Sequence, residues 1–279
     1  MKSADKSLPR FDAPPVVEMV LGVEFADLSG WSIPHYGLFW GRIRSDYLHC
    51  TVKEPLLSQL ETFAGPGKVE VNFNLPMGAP LPIRCWYSDQ NANWLIQIQP
   101  DRFIQNWRKT PEEKAYSYYS QVRQRFEKEF QRFKDFVSVE KLGELEIRQC
   151  EITYVNHIEP AEGGNAFSLF RDVVPFWSDS GSREFLPEMP EVTVFRTSYV
   201  IPENRGRLHL AIQPVFRHAD AKDLIQMTVT AKVKTFSSDI NDVLAAFDLG
   251  HDWAVQGFTD YTSEKMHQIW HRRQGTWTP

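Results

Sequence analysis

The stretch Thr110-Pro-Glu-Glu-Lys-Ala-Tyr-Ser-Tyr-Tyr-Ser-Gln-Val-Arg-Gln-Arg-Phe-Glu-Lys-Glu-Phe-Gln-Arg-Phe-Lys-Asp-Phe-Val137 decides how the chain is read. Apolar residues recur at Ala115, Tyr119, Val122, Phe126, Phe130, Phe133 and Val137, in steps of three or four that make one continuous stripe on an α-helix. Thr110 can act as N-cap, Pro111 suits the first helical position and Glu113 completes a T-x-x-E capping box, so the spacing predicts a helix over Pro111–Val137. An aromatic stripe of this length needs a large apolar surface, and the neighbouring segments read as strands that supply one. Ile83–Ser88 and Trp94–Gln99 are strand-like runs joined by Asp89-Gln-Asn-Ala-Asn93, whose composition suits an antiparallel hairpin. Val16–Phe25 alternates, with Glu18, Val20, Gly22 and Glu24 on one face against Val17, Met19, Leu21, Val23 and Phe25, the pattern of a half-buried strand. Gly37–Leu60 has rough helical spacing, interrupted by Gly41 and Pro55, and reads as helix then turn.

Beyond the long helix the outline repeats. Leu145–Ile158 reads as a strand, Phe167–Trp177 as a short helix or irregular segment, Val192–Ile201, Arg207–Phe216 and Leu224–Val233 as strands, and Ile240–Tyr261 as a helix. Leu95-Ile-Gln-Ile-Gln-Pro100 also echoes Leu210-Ala-Ile-Gln-Pro214, a match short enough for chance to supply. The expectation is an α+β protein: a largely antiparallel sheet from two similar β-α-β-β-(β)-α halves, covered by long amphipathic helices. Residues 1–15 form a flexible lead-in, 16–140 the first half and 141–279 the second, as two units or one continuous domain.

Composition bounds the function. The 279 residues are 42% hydrophobic and 24% charged, enough to bury a sizeable core. Cys50, Cys85 and Cys150 are the only cysteines and form no C-x-x-C pair, which excludes a disulfide framework or a cysteine-rich zinc site and fits a reducing cytoplasm. With no apolar leader core near Met1 and no apolar run of about 20 residues, a cytoplasmic protein without membrane contact is expected. The net charge of −5 divides into 17 basic and 17 acidic residues over 1–140, and 14 and 19 over 141–279. Neither half has the positive excess of a general nucleic-acid binder.

No G-x-G-x-x-G, G-x-x-x-x-G-K-[ST] or G-x-S-x-G motif occurs, so neither a phosphate cradle nor an acyl-transfer nucleophile is marked, and no cofactor is expected. Glu264, His267 and His271 lie at i, i+3 and i+7 and would share a face if Ser263–Arg273 were helical, giving a metal half-site. An exposed polar helix end explains the same residues and is favoured, as a capping or packing role is for His251-Asp252. The stretch Arg102–Lys134 holds nine basic and four acidic residues interleaved with Phe103 and Trp107, the composition of a surface for an acidic protein or single-stranded nucleic acid. Arg102, Phe103, Asn106, Trp107, Arg108, Arg125 and Arg132 are the candidate partner-binding residues, although Arg123/Glu127 and Arg125/Glu129 can also pair along the helix.

Pro14–Phe25 (P-P-x-V-E-x-x-L-G-V-x-F), Trp94–Lys109 (W-L-I-Q-x-Q-x-D-R-F-x-x-N-W-R-K), Gly206-Arg-Leu-His209 with Ile212-Gln-Pro214, and the segment from His251 to Trp270 together resemble a sporadically distributed family of uncharacterised bacterial proteins. The resemblance spans nearly the whole chain. It implies a cytoplasmic bacterial protein with no catalytic residues to carry over, in a distribution like that of accessory genes in defence or mobile loci. The leading expectation is a non-catalytic interaction or regulatory protein that binds a partner encoded nearby. The alternatives are an enzyme or small-ligand-binding protein with a site between the two halves, its metal version using Glu264, His267 and His271, and RNA or single-stranded DNA binding along Arg102–Lys134.

Overall fold

Nine strands form one sheet in which every neighbouring pair is antiparallel. In a computed structural model that describes residues 8–62, 69–71, 83–112, 116–160, 166–176, 184–185 and 192–273, the elements follow in this order. They are β1 (Arg10–Phe11), β2 (Val16–Phe25), α1 (Ile33–Ile43), β3 (His49–Lys53), β4 (Gln59–Glu61), β5 (Val69–Val71), β6 (Arg84–Ser88), β7 (Trp94–Gln99), β8 (Arg102–Arg108) and α2 (Tyr119–Val139). Then come β9 (Ile147–Ile158), α3 (Ala166–Val173), β10 (Phe195–Ile201), β11 (Gly206–Arg217), β12 (Lys222–Val233), α4 (Ile240–Tyr261), α5 (Glu264–Ile269) and β13 (Arg272–Arg273).

The large sheet runs β10-β11-β12-β9-β2-β8-β7-β6-β3. Read outward from the central β2/β9 pair, the first half goes first strand, last strand, then its two predecessors (β2-β8-β7-β6), and the second half does the same (β9-β12-β11-β10). The halves therefore share one sheet. β2 is buried further than the half-buried strand its alternation predicts, because β8 and β9 flank it and both of its faces are covered at Val23 and Glu24.

Register sets the helix-bearing face: Met19, Leu21 and Val23 stand beside Trp107, Gln105 and Phe103 on β8, and beside Tyr154, Ile152 and Cys150 on β9. On this face α2 lays Phe126 against Phe103 and Phe133 against Phe25, with ring centroids 5.7 and 5.9 Å apart. Each buried aromatic contributes about 150–250 Å² to such a core. α4 runs beside α2, Phe247 meeting Phe126 at 4.7 Å, and it approaches the sheet where Gly250 faces Ile152; a Cβ there would stand 2.7 Å from Ile152 Cγ2. Only a residue without a side chain lets the helix sit so close.

The opposite face is polar and is crossed at one end by the segment Glu54–Thr62. Gln99 on β7 exchanges hydrogen bonds with the backbone of Leu56, Glu24 on β2 accepts from Ser58, Gln149 on β9 accepts from the Glu61 N–H, and Lys232 on β12 donates to Gln59 O. Glu61 completes the crossing by accepting from buried Arg207 on β11 at 2.8 Å.

Three sequence expectations need correction. α2 begins at Tyr119 rather than Pro111, with Tyr118 at the N-cap and no side-chain cap; the Thr110 hydroxyl instead donates to Asn93 Oδ1, while Glu113 and Ala115 lie outside the described residues. The helix expected over Gly37–Leu60 is α1, which starts at Ile33 behind Ser32, whose N–H donates to His35 Nδ1 at 2.9 Å, and the rest is the edge strand β3 and the crossing segment. The lead-in 1–15 is tied down at its end: Arg10–Phe11 pairs with Arg272–Arg273, and Asp12 and Ala13 N–H groups donate to His271 and Trp270 carbonyls.

Candidate functional site

α2 and α4 lie side by side on the sheet, and at the end of their seam where α2 begins lies a cavity of about 490 Å³. Its walls come from both halves and both chain ends: residues from Leu8 to Val16, Tyr116–Ser120 leading into α2, Tyr154 and Asn156 on β9, His251 to Phe258 on α4, and Arg273 on β13. Most of the lining is aromatic or aliphatic.

His251 organises the polar part. Its ring stacks on Tyr119, with centroids 3.9 Å apart and planes within 9°, and its Nδ1 lies 2.6 Å from the Tyr154 hydroxyl. Burial lowers the imidazole to about 4 against a smaller upward pull from Asp248, so it is neutral near pH 7. Burial also raises the Tyr154 hydroxyl far above the ordinary phenol value, so it keeps its proton. A phenol O–H is a better donor than a neutral imidazole N–H, and an imidazole nitrogen a better acceptor than a phenol oxygen. The bond is therefore assigned as Tyr154 O–H to Nδ1, which leaves the imidazole proton on Nε2, an atom without a protein partner among the described residues.

The stack is held from behind. Tyr119 donates to Asp248 Oδ1 at 2.7 Å, and Arg123 grips the same carboxylate through Nε at 2.8 Å and a terminal nitrogen at 3.0 Å. Asn156, 1% exposed, donates through Nδ2 to Met227 O at 3.0 Å, and its Oδ1 has no partner among the described residues. At the rim Arg273 donates to Asp12 at 2.7 Å, whereas Arg10 is exposed and has no partner among the described residues. Asp12 is the only carboxylate among the described lining residues.

The residues singled out in the sequence lie elsewhere. Phe103 and Trp107 are both 0% exposed on the helix-bearing face, with Trp107 backing Tyr116 edge to face at 5.8 Å; a contact surface cannot use them without unfolding. On the opposite face, Asn106 and Arg108 both donate to Glu18, and Arg102 pairs with Glu24 at 2.7 Å. Arg125 lies between the Trp94 and Tyr47 rings, 4.4 and 5.5 Å from their centroids, and Arg132 joins Asp46 and buried Glu129. The pairs expected along the helix, Arg123/Glu127 and Arg125/Glu129, give way to these longer-range ones.

The metal half-site also dissolves. α5 ends at Ile269, and His271 turns away in the left-handed region at φ 53°. Both nitrogens of buried His267 are engaged: Nε2 lies 2.9 Å from Thr262 Oγ1, and Nδ1 lies 3.1 Å from Arg272. Since the Thr262 hydroxyl already donates to Phe258 O, Nε2 is the donor and Nδ1 the acceptor, with no lone pair left for a metal. Among the described residues no group of three or more His, Cys, Asp or Glu side chains is placed to hold an ion.

Sequence reasoning weighed His251 and assigned Tyr119 to the core stripe, but did not group Tyr116, Tyr119, Tyr154 and Asn156. The available signal was Tyr116-Ser-Tyr-Tyr119, three hydroxylated aromatics where a helix was expected to be purely apolar on its inner face. No helix among the described residues is long and apolar enough to cross a membrane. A scan against protein-family models finds no match, and a comparison with curated proteins finds none either.

Proposed function

We propose that this chain is a small-ligand-binding protein of the cytoplasm, non-catalytic, with its ligand seated between the two halves in the cavity at the α2–α4 seam. The carrying observation is the His251 assembly: a neutral imidazole fixed by Tyr154 and Tyr119 in the cavity wall, offering an Nε2–H without a partner among the described residues. Pockets of about 300–1,000 Å³ that combine apolar walls with a few convergent polar atoms are the usual form of a small-molecule site. Binding is favoured over catalysis because Asp12, the carboxylate among the described lining residues, is already paired with Arg273, and none of those residues is a base-activated nucleophile. The partner-protein and nucleic-acid readings of Arg102–Lys134 draw less support, since their aromatic residues are internal and their named cations are engaged. We also read the halves as copies of one unit, a reading supported by the matching strand orders about the β2/β9 pair.

The test is a thermal-shift screen of the intact protein against small aromatic compounds, run beside Val255→Trp, which places an indole in the cavity from a half-buried position on α4. Compounds that raise the melting temperature of the wild type and not of a folded Val255→Trp protein support the site. Equal shifts in both proteins would overturn it.

A further inference from the structure

The polar atoms of the cavity are few, and each has a defined sense. Asn156 closes the wall from behind: its amide donates to Met227 O and its Oδ1 is sealed from solvent. His251 Nε2 can only donate, because Nδ1 accepts from Tyr154. Arg10 is a cation without a partner among the described residues at the rim, and the carboxylate beside it, Asp12, is neutralised by Arg273. The walls between them are flat, with Tyr119 stacked on His251 and Tyr116 set edge-on to Trp107.

We propose that the ligand is a heteroaromatic anion: a planar ring whose edge carries a hydrogen-bond acceptor, attached to a phosphate or carboxylate. This rests on the ligand-binding reading above. The ring lies among the tyrosines, its acceptor meets the His251 Nε2–H, and its anionic group reaches Arg10. A ligand without an acceptor would leave the His251 Nε2–H unsatisfied, and an uncharged one would leave Arg10 unused. Nucleobases carry such edges and are held in proteins by aromatic stacking together with edge hydrogen bonds, and heteroaromatic carboxylates present the same chemistry. Arg10, without a partner among the described residues, and the paired Asp12 favour negative charge over positive.

Isothermal titration of the intact protein separates the two sources. One arm uses adenosine, guanosine, cytidine and uridine 5′-monophosphates beside the parent nucleosides; the other uses orotate and nicotinate beside uracil and nicotinamide. The expected result is saturable binding in one arm, with the anion bound about tenfold tighter than its uncharged counterpart, the size of one charge-assisted contact. Arg10→Gln, at an exposed position whose pairing with β13 uses only the backbone, removes that ratio and leaves the affinity of the uncharged counterpart unchanged. His251→Phe, which keeps a flat ring and removes the Nε2–H, weakens both members of the pair. No binding in either arm, equal affinity for anion and counterpart, or a ratio that survives Arg10→Gln overturns the ligand class. Binding unaffected by Val255→Trp overturns the site itself, so the two failures are distinguishable.

Discussion

Replacing His251 with Gln should flatten the acid limb of the stability curve. His251 is held from its ordinary 6.5 down to about 4, chiefly by burial. Between those values the unfolded chain carries a proton that the folded chain refuses. The unfolded state then binds more protons, so stability falls as pH falls; the contribution is fully present above pH 6.5 and lost below about 4. At ~1.4 kcal/mol for each tenfold change in proton affinity, the wild type loses about 3 kcal/mol across that window through this residue alone. The groups facing the ring are Tyr119 and Tyr154, with Asp248 held by Arg123 on its far side; glutamine keeps a hydrogen-bonding amide there and does not titrate. Glu24 and Asp101, whose carboxyls burial raises, act with the opposite sign, but they do so in both proteins and cancel in the difference. Urea denaturation of wild type and His251→Gln at pH 7.5, 6.5, 5.5 and 4.5, followed by far-ultraviolet circular dichroism, gives that difference. The gap between the proteins should close, or reverse, by about 2–3 kcal/mol towards acid. Parallel curves would show that the imidazole is not held neutral, and the assignment of an Nε2–H donor would lose its basis.

Gly250→Ala forces α4 off the sheet at Ile152 and should cost about 1–3 kcal/mol, whereas Gly41→Ala on α1, whose added methyl meets nothing within 4 Å, should stabilise by about 0.5–1 kcal/mol; urea midpoints check both. Phe133→Ala removes a ring that touches Phe25, Trp31, Phe39 and Phe103, and should destabilise by about 3–5 kcal/mol in calorimetry. Glu61→Ala leaves buried Arg207 without its carboxylate and should cost about 3–5 kcal/mol, while Glu61→Gln, which keeps an acceptor, should cost less; equal losses would mean that the crossing segment is held by its backbone contacts alone.

Elements specified by local chemistry were legible in the sequence. α4 is found at Ile240–Tyr261 as expected, because Asp239 caps it by accepting from the Asn241 N–H and its period is unbroken. The β6–β7 hairpin follows from Asp89 and Asn93, and Asp89 does accept from the Trp94 N–H. The start of α2 was misread because Thr110 has two uses, and local spacing reveals only the cap; the competing partner, Asn93, lies 17 residues away. The charges of Arg102–Lys134 were misread for the same reason on a longer scale. Arg102, Arg108, Arg123 and Arg132 meet Glu24, Glu18, Asp248 and Asp46, partners brought alongside by sheet register and helix packing. A window of sequence shows the cations without their anions, which is the appearance of a binding surface.

The cavity was the least legible feature, and its position explains why. α2 and α4 pack tightly where Phe126 meets Phe247, and at the opposite end of the seam the 234–239 loop is fixed to both halves, with Lys134 donating to Ser238 O and Ser238 Oγ accepting from Ile147 N–H. At the end where α2 starts, no loop among the described residues fills the gap. The closure there is made by β1 and β13, two residues each, paired with each other, with Phe11 packed against Phe258 of α4 and His267 of α5. A void bounded by segments from opposite ends of the chain has no sequence period, and its polar residues, His251, Asn156 and Arg10, come from three elements with no shared motif. Each of them taken alone has a structural reading as good as its functional one. Only their convergence on one cavity, with the His251 donor and the Arg10 cation left over among the described residues after the fold has made its own hydrogen bonds, separates a ligand site from an apolar packing defect.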